Sequence, residues 1–325
     1  MPASTCLWPC PTYSSLIFQF PRKNGIFFNF YLVANKKRLQ RLCDRWFNLP
    51  SRFQVKVKPA SNIVSLTFVY YPKAWSRGLP LSEYGFMTYK EMIFSINVKA
   101  QQGFLGRESG SYGFIPFLLL DHPRAITAGR EAFGMPKAYG DIAFPTGEAA
   151  ETNAFTCTAR TFGDPSIPHR RAKPMELVHL HCPPDFRITD FLTAQGKGFD
   201  ALAEEFYRDT GDEISLDTAR MLVRMNRADM LNLVQFRNPT NPTEALHQSI
   251  IEYHSEKVTM AVGGLLKGPF QLKFPQRSDS FPIQRALGLQ TRVLGGLWYR
   301  MNFEFVLGKQ LWDAEKRRGF GLLGW

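Results

Sequence analysis

Apolar and polar positions along this chain fall mostly into short alternating or continuous apolar runs bounded by glycine, proline or asparagine, the pattern of strands rather than long helices. Gly25 to Val33 (GIFFNFYLV) predicts a buried strand, and the following KKRLQRLCDRWF repeats its apolar residues at helical spacing. Phe53 to Tyr71 predicts two strands broken at Pro59 to Asn62, and Thr88 to Val98 and Ser111 to Leu120 continue a meander around the glycine-rich turn Gln101 to Gly110. Ala125 to Gly134 predicts a short helix ended by glycine, after which Met135-Pro136-Lys137 returns to extended backbone, because proline disfavours helix in the residue before it. Lys137 therefore sits at a helix-to-strand junction. Ala154 to Arg160 predicts a strand, Gly163 to Lys173 a loop, and Phe191 to Met225 two helices separated at Thr210-Gly211-Asp212. Strands resume in MLNLVQF, ALHQSIIEYH, VTMAVGGLL, FQLKF and VLGGLWYRMNFEFVL. No repeat period is present.

Composition supports that pattern. With 325 residues, 44% hydrophobic and 14% aromatic, the chain can bury a large core, and its 28 phenylalanines favour sheet. The net charge of +12 arises from dispersed residues; the densest groups, Lys36-Lys37-Arg38 with Arg41 and Lys316-Arg317-Arg318, accompany no groove-reading motif. A solvated basic face is expected, with no nucleic-acid partner, and the same field assists an anionic small molecule. Cys6, Cys10, Cys43, Cys157 and Cys182 are odd in number and form no C-x-x-C pair, which predicts reduced thiols in a cytoplasmic protein. No window approaches the ~18 apolar residues of a membrane span, and the first segment lacks the form of a signal peptide.

The candidate chemistry centres on Lys137, between Pro136 and Ala138 in DHPRAITAGREAFGMPKAYGDIAF. An amine in such an apolar stretch can be desolvated enough to stay neutral near pH 7, and a neutral amine attacks carbonyl carbon. Phe114, Phe117, Phe133 and Met135 are the expected sources of that burial. His179 and His181 beside Cys182 (HLHC) lie on one face of a strand without a second ligand cluster, so no metal is expected. Gly263-Gly264 and Gly295-Gly296 lack a phosphate-binding context and read as bulges or close-approach points; no nucleotide cofactor is indicated.

Through Ala128-Gly129-Arg130-Glu131 followed by Pro136-Lys137, the sequence resembles the acetoacetate decarboxylase family, in which an AGRE or VGRE segment runs into a Pro-Lys step whose lysine forms a Schiff base. Tyr89-Lys90-Glu91 resembles the family's tyrosine-x-glutamate, and Phe114 to Asp121 the strand before AGRE. Asp229 to Phe236 and Gly268 to Phe274 resemble later strands, so the likeness extends from about Gly25 to about Leu311. It implies a strand-rich α+β fold, a curved antiparallel sheet closed into a cone-like β-barrel with peripheral helices, and a homo-oligomer. A single domain over residues 25–311 is expected, with a helical insertion at about 188–224, an N-terminal extension over 1–24 and a tail over 312–325.

The resemblance assigns imine formation to Lys137 and proton transfer to Glu91, on a small-molecule keto acid or keto compound, with no cofactor. A lyase that decarboxylates a β-keto acid, in specialised metabolism, is the leading expectation; an aldolase or dehydratase using the same imine, and a non-catalytic binding barrel, are the alternatives. Three departures from the family pattern bear on this choice. Ala138 replaces a second lysine, Gly25 stands near the position of a substrate-binding arginine with Arg22 and Lys23 beside it, and Thr67 falls near a strand glutamate. Arg130 and Glu131 are expected to form a structural ion pair beside the site.

Overall fold

The structure, a computed structural model, describes residues 15–18, 25–76, 85–103, 107–146, 153–164, 166–183, 199–225, 229–241 and 243–315. Its first elements are β1 (Ser15–Phe18), β2 (Gly25–Val33), α1 (Lys36–Cys43) running into one π turn (Asp44–Asn48), β3 (Val55–Ser76), β4 (Met87–Gln102), β5 (Arg107–Leu120), α2 (Pro123–Phe133), β6 (Lys137–Tyr139) and β7 (Asp141–Ala143). β8 (Ala154–Thr161), β9 (Lys173–His181), α3 (Phe199–Thr210), α4 (Leu216–Met225), β10 (Met230–Arg237), β11 (Ala245–Leu266), β12 (Gln271–Lys273), α5 (Ile283–Leu287) and β13 (Val293–Asp313) complete it. Phe191 to Gly198, expected as helix, lie outside the described residues, as do residues 1–14 and 19–24 of the expected extension.

Nine strands form one large mixed sheet in which β13, β11, β10, β5, β4, β3 and β2 pair in that order, and β2 pairs back onto β13. The hydrogen bonding thus returns to its starting strand. Most pairings are antiparallel, as expected, but β10 and β6 both run parallel to β5, which corrects the all-antiparallel reading. The cause is local: α2 carries the chain back so that β6 leaves it in the direction of β5, and a crossover of that kind permits parallel pairing. Two expected interruptions are absent as breaks. Val55–Ser76 is one strand whose register shifts between Pro59 and Val64, and Ala245–Leu266 is one strand with shifts along its pairing to β13. Bulges absorb the residues that disrupt alternation, so pairing continues across them.

The period-two pattern gives the large sheet two different faces. On one, Phe28, Phe30 and Phe68 pack onto a four-stranded sheet (β12, β9, β8, β7) around Phe155, whose ring lies 5.1 to 5.2 Å from theirs. Odd positions of β2 and β3 face the other way: Phe27, Val69 and Tyr71 join Met301 and Phe303 of β13 in a separate cluster. Tyr31 and Ile63, on that same face, pack against Leu202, Phe206 and Leu222 of α3 and α4. The paired glycines explain how the helices come so near: a Cβ at Gly295 would lie 2.8 Å from Phe206, and one at Gly263 would lie 3.0 Å from Leu202. They are the close-approach points expected from the sequence. Cys43, Cys157 and Cys182 are free and buried, and burial pushes the Cys43 and Cys182 thiols up to about 12. Cys6 and Cys10 lie outside the described residues.

Candidate active site

Glu91 reaches the inner cluster because β4 places Tyr89, Glu91, Ile93 and Ser95 on one face by simple alternation. Lys137 reaches it by a different route. Helix α2 ends at Gly134, whose φ of 62° is a left-handed conformation that suits glycine, and whose N–H bonds to Arg130 O. A Cβ there would come within 2.7 Å of Leu233 O. Met135 N–H then bonds to Gly129 O, turning the chain so that Lys137 opens β6 beside Leu118 of β5. The lysine stem lies across Gly129, where a Cβ would stand 2.4 Å from both Cδ and Cε of Lys137.

The two side chains meet. Lys137 Nζ is 2.8 Å from Glu91 Oε1, and each side chain is only 5% exposed. The Tyr89 ring lies 5.9 Å from the lysine nitrogen, and the Tyr71 hydroxyl hydrogen-bonds Glu91. Burial first, and then the Glu91 charge, hold the phenols of Tyr71 and Tyr89 well above the ordinary tyrosine value, so both are O–H donors at neutral pH.

A cavity of about 120 Å³ opens in front of this pair, room for several water molecules or the body of a small organic molecule. Every strand of the closed circuit lines it: Phe27 of β2, Thr67 of β3, Ser95 of β4, Ile115 and Leu118 of β5, Met230 of β10, Ser255 of β11, and Tyr299 of β13. Phe133 and Met135 add to a mainly apolar wall. Among the described residues, the charged groups of that lining are Lys137 and Glu91.

Several expectations need correction in detail. Phe133 and Met135 do bury the lysine side, but Phe114 and Phe117 belong to the opposite face, with Phe114 packed on Trp46 and Phe47 at 5.8 and 4.8 Å. The reason is a register shift opposite Phe94 and Ile96 around Pro116, which breaks strict alternation so that Ile115 and Leu118 share the cavity side. Arg130 and Glu131 are both exposed and make no ion pair with one another; α2 is anchored instead by Ala125, Ala128, Gly129 and Phe133. Ala138 points to the opposite core, so a lysine at that position would start out away from the cavity. Thr67 lines the cavity, and Arg22 and Lys23 lie outside the described residues.

Alternation separates the HLHC residues too. Cys182 is buried, His181 is exposed and His179 Nδ1 lies 2.8 Å from Glu176 Oε1. Among the described residues His247, Asp313 and Glu315 bring three possible metal-ligand atoms within 4.8 Å, but none lines the cavity. Gly129 stands in the sequence only as part of the Ala128-Gly129-Arg130-Glu131 motif, and Tyr71 and Ser95 are among the site residues that the sequence did not single out. A glycine inside a helical pattern was the available signal for the first, and period two counted on from Glu91 for the last. No helix of the described residues is long and apolar enough to cross a membrane.

Comparison with known proteins agrees with this fold. The family model for acetoacetate decarboxylase matches residues 9–165, just under half of the chain and the part holding Glu91 and Lys137. The acetoacetate decarboxylase of Legionella pneumophila superposes with a TM-score of 0.60 at 15% identity, over 97% of this chain and 94% of its own. The enduracididine biosynthesis enzyme MppR complexed with pyruvate gives a TM-score of 0.53 at 15% identity over 96% and 94%. An acetoacetate decarboxylase-like enzyme from Sphingomonas wittichii RW1 gives 0.54 at 15% identity over 88% and 90%. At these identities the likeness is one of fold. No curated protein sequence matches the chain significantly.

Proposed function

Taking the acetoacetate decarboxylase resemblance as premise, we propose that this chain is a cofactor-independent, imine-forming lyase with Lys137 as nucleophile, Glu91 as proton carrier and a β-keto acid as substrate. The observation that carries the reading is the buried 2.8 Å contact between Lys137 Nζ and Glu91 Oε1 at the wall of a mainly apolar cavity. Moving one proton from nitrogen to carboxylate turns the pair into a free amine and a carboxylic acid without changing the net charge of the site. The amine adds to the ketone carbon, Glu91 protonates the departing hydroxyl, and water leaves to give the iminium.

The bond to the carboxylate carbon then breaks, its electron pair flowing into the carbon–carbon double bond of a neutral enamine as carbon dioxide departs. Glu91, now a carboxylate, takes up from water the one proton that decarboxylation of a keto-acid anion consumes and passes it to carbon, and hydrolysis of the resulting iminium frees the lysine. An iminium and a carboxylate become two uncharged species in this step, a change favoured where apolar walls exclude water, and the described lining holds no other cation to stabilise the carboxylate. Tyr71, as a hydrogen-bond donor, orients Glu91.

A second reading has specific support. MppR superposes on the chain also as a complex with the condensation product of pyruvate and imidazole 4-carboxaldehyde. An iminium on Lys137 serves aldol condensation or dehydration equally well if Glu91 removes a proton from the adjacent carbon. Closure of the strand circuit on itself favours description as a cone-like barrel. We further take residues 25–311 as one domain with a helical insertion at about 188–224, and the protein as a cytoplasmic homo-oligomer.

Borohydride reduction in the presence of acetoacetate or pyruvate tests the core of this reading. A covalent adduct on Lys137 is expected, and it disappears in Lys137→Ala. Lys137→Arg is expected to abolish turnover, since guanidinium remains protonated. Release of carbon dioxide separates decarboxylation from aldol chemistry, and reversible binding that survives Lys137→Ala identifies a non-catalytic module.

A further inference from the structure

One stretch of the cavity wall has no role in the lysine chemistry. Asn29 of β2, fully buried, accepts hydrogen bonds at Oδ1 from Thr67 Oγ1 at 2.6 Å and Ser65 Oγ at 3.4 Å, and its Nδ2 donates to Tyr299 OH at 2.9 Å. Ser65 and Thr67 are themselves 3.2 Å apart. With both amide lone pairs engaged, the Asn29 side chain is fixed in one orientation. Ser65 stands opposite Ser95 in the β3–β4 register, so the polar band continues across four neighbouring strands, β13, β2, β3 and β4.

Four of these five side chains satisfy one another; Ser95 does not. It is 92% buried (8% exposed), lines the cavity and makes no hydrogen bond to the protein among the described residues. Its Oγ is open to the cavity rather than sealed in protein, so its hydrogen bond is supplied by water or by a group bound there. The band also stands apart from the reacting pair. Thr67 faces Ile93 across the strands, so its Cα lies ~8 Å from that of Glu91, and Ser95 is four residues further along β4, ~13 Å away.

The geometry points to a second recognition site in this cavity, a receptor for an uncharged oxygen-bearing group at the end of the substrate remote from its reacting carbonyl, with Ser95 Oγ as direct contact and Thr67, held by Asn29, as its neighbour. This deepens the imine reading and rests on it. The substrate class is an elongated keto compound carrying a distal hydroxyl or carbonyl. A distal charge is disfavoured, because the described lining offers it no counter-ion beyond Lys137 and Glu91, both engaged at the reacting end. Ile93, between Glu91 and Ser95 on β4, and Leu118, opposite it on β5, line the cavity between the two ends and suit an apolar linking segment.

The test uses borohydride trapping on the full chain with straight-chain methyl ketones of five to eight carbons bearing a terminal hydroxyl, each beside its isostere with methyl in place of that hydroxyl. The readout is the ratio of half-trapping concentrations within each pair. At the best chain length, Ser95→Ala is expected to shift that ratio about tenfold toward the methyl isostere, and Thr67→Val to shift it in the same direction. Because Ser95 makes no bond within the protein, Ser95→Ala should leave the Tm of the ligand-free protein at or above that of the parent. A ratio unmoved by both substitutions, or a Tm lowered by several degrees in Ser95→Ala, overturns the receptor while leaving the lysine chemistry standing. Failure of every ketone to label Lys137 overturns both.

Discussion

Lys137 and Glu91 come from positions 46 residues apart and meet at 2.8 Å, and each depends on a different kind of backbone cue. For Glu91 the cue is alternation in β4; replacing it by glutamine keeps the side-chain shape and an acceptor for Lys137 while removing the exchangeable proton. Glu91→Gln is expected to lower turnover by about a hundredfold or more, measured as carbon dioxide release. For Lys137 the cue includes Gly129. Alanine inside a helix ordinarily stabilises by ~1 kcal/mol relative to glycine, but here its Cβ would overlap the lysine stem at 2.4 Å, a conflict that costs ~1 to 3 kcal/mol and displaces the amine. Gly129→Ala should therefore lower the urea midpoint and lose borohydride labelling; a stabilised, fully labelled variant would contradict the packing described. At this scale the position of Lys137 at a helix-to-strand junction was legible because a proline and a glycine punctuate its approach. Which aromatic residues bury it was not, because the shift at Pro116 sends Phe114 and Phe117 to the other face.

Among the elements, the helical pair α3 and α4 has the clearest relation to the cavity. Phe206 packs on Tyr31 with ring centroids 4.8 Å apart and fits against Gly295, while Phe199 meets the cavity-lining Tyr299 edge-on at 6.0 Å. Asn97 Nδ2 and the Tyr31 hydroxyl also donate to carbonyls of α4, at Met221 and Leu222. The pair thus covers one end of the cavity-facing side. Phe206→Ala removes a fully buried ring and is expected to cost ~3 to 5 kcal/mol, read from urea unfolding followed by circular dichroism. A loss below ~1 kcal/mol would show that the helices are not integral to this face. Helical periodicity made both helices visible in the sequence, as did the glycine pairs that admit them. The joining of split runs into the long strands Val55–Ser76 and Ala245–Leu266 was not visible, since a bulge and a chain break leave the same local interruption.

In the molecule as a whole, four buried tyrosines from different strands share the core cluster on the cavity side of the large sheet. Burial, foremost, raises the phenols of Tyr71, Tyr89, Tyr253 and Tyr299 above the ordinary value. Below about pH 10 folded and unfolded chains both hold these protons and the stability they confer is complete; above it the unfolded chain releases them while the native one does not, so stability falls as pH rises toward the folded values. Alkaline titration should show phenolate absorbance of these groups appearing together with loss of native circular dichroism, and gradual ionisation within an intact fold would refute it. Sequence alone determined a strand-rich chain, its main strands and helices, and a lysine at the junction of a helix and a strand, because periodicity and glycine or proline punctuation act over a few neighbouring residues. Tertiary structure decided that β2 returns to β13, that two strands run parallel to β5, and that Glu91 rather than burial alone meets the lysine. Those outcomes depend on register and strand order, which join residues distant in sequence and leave no local pattern to read.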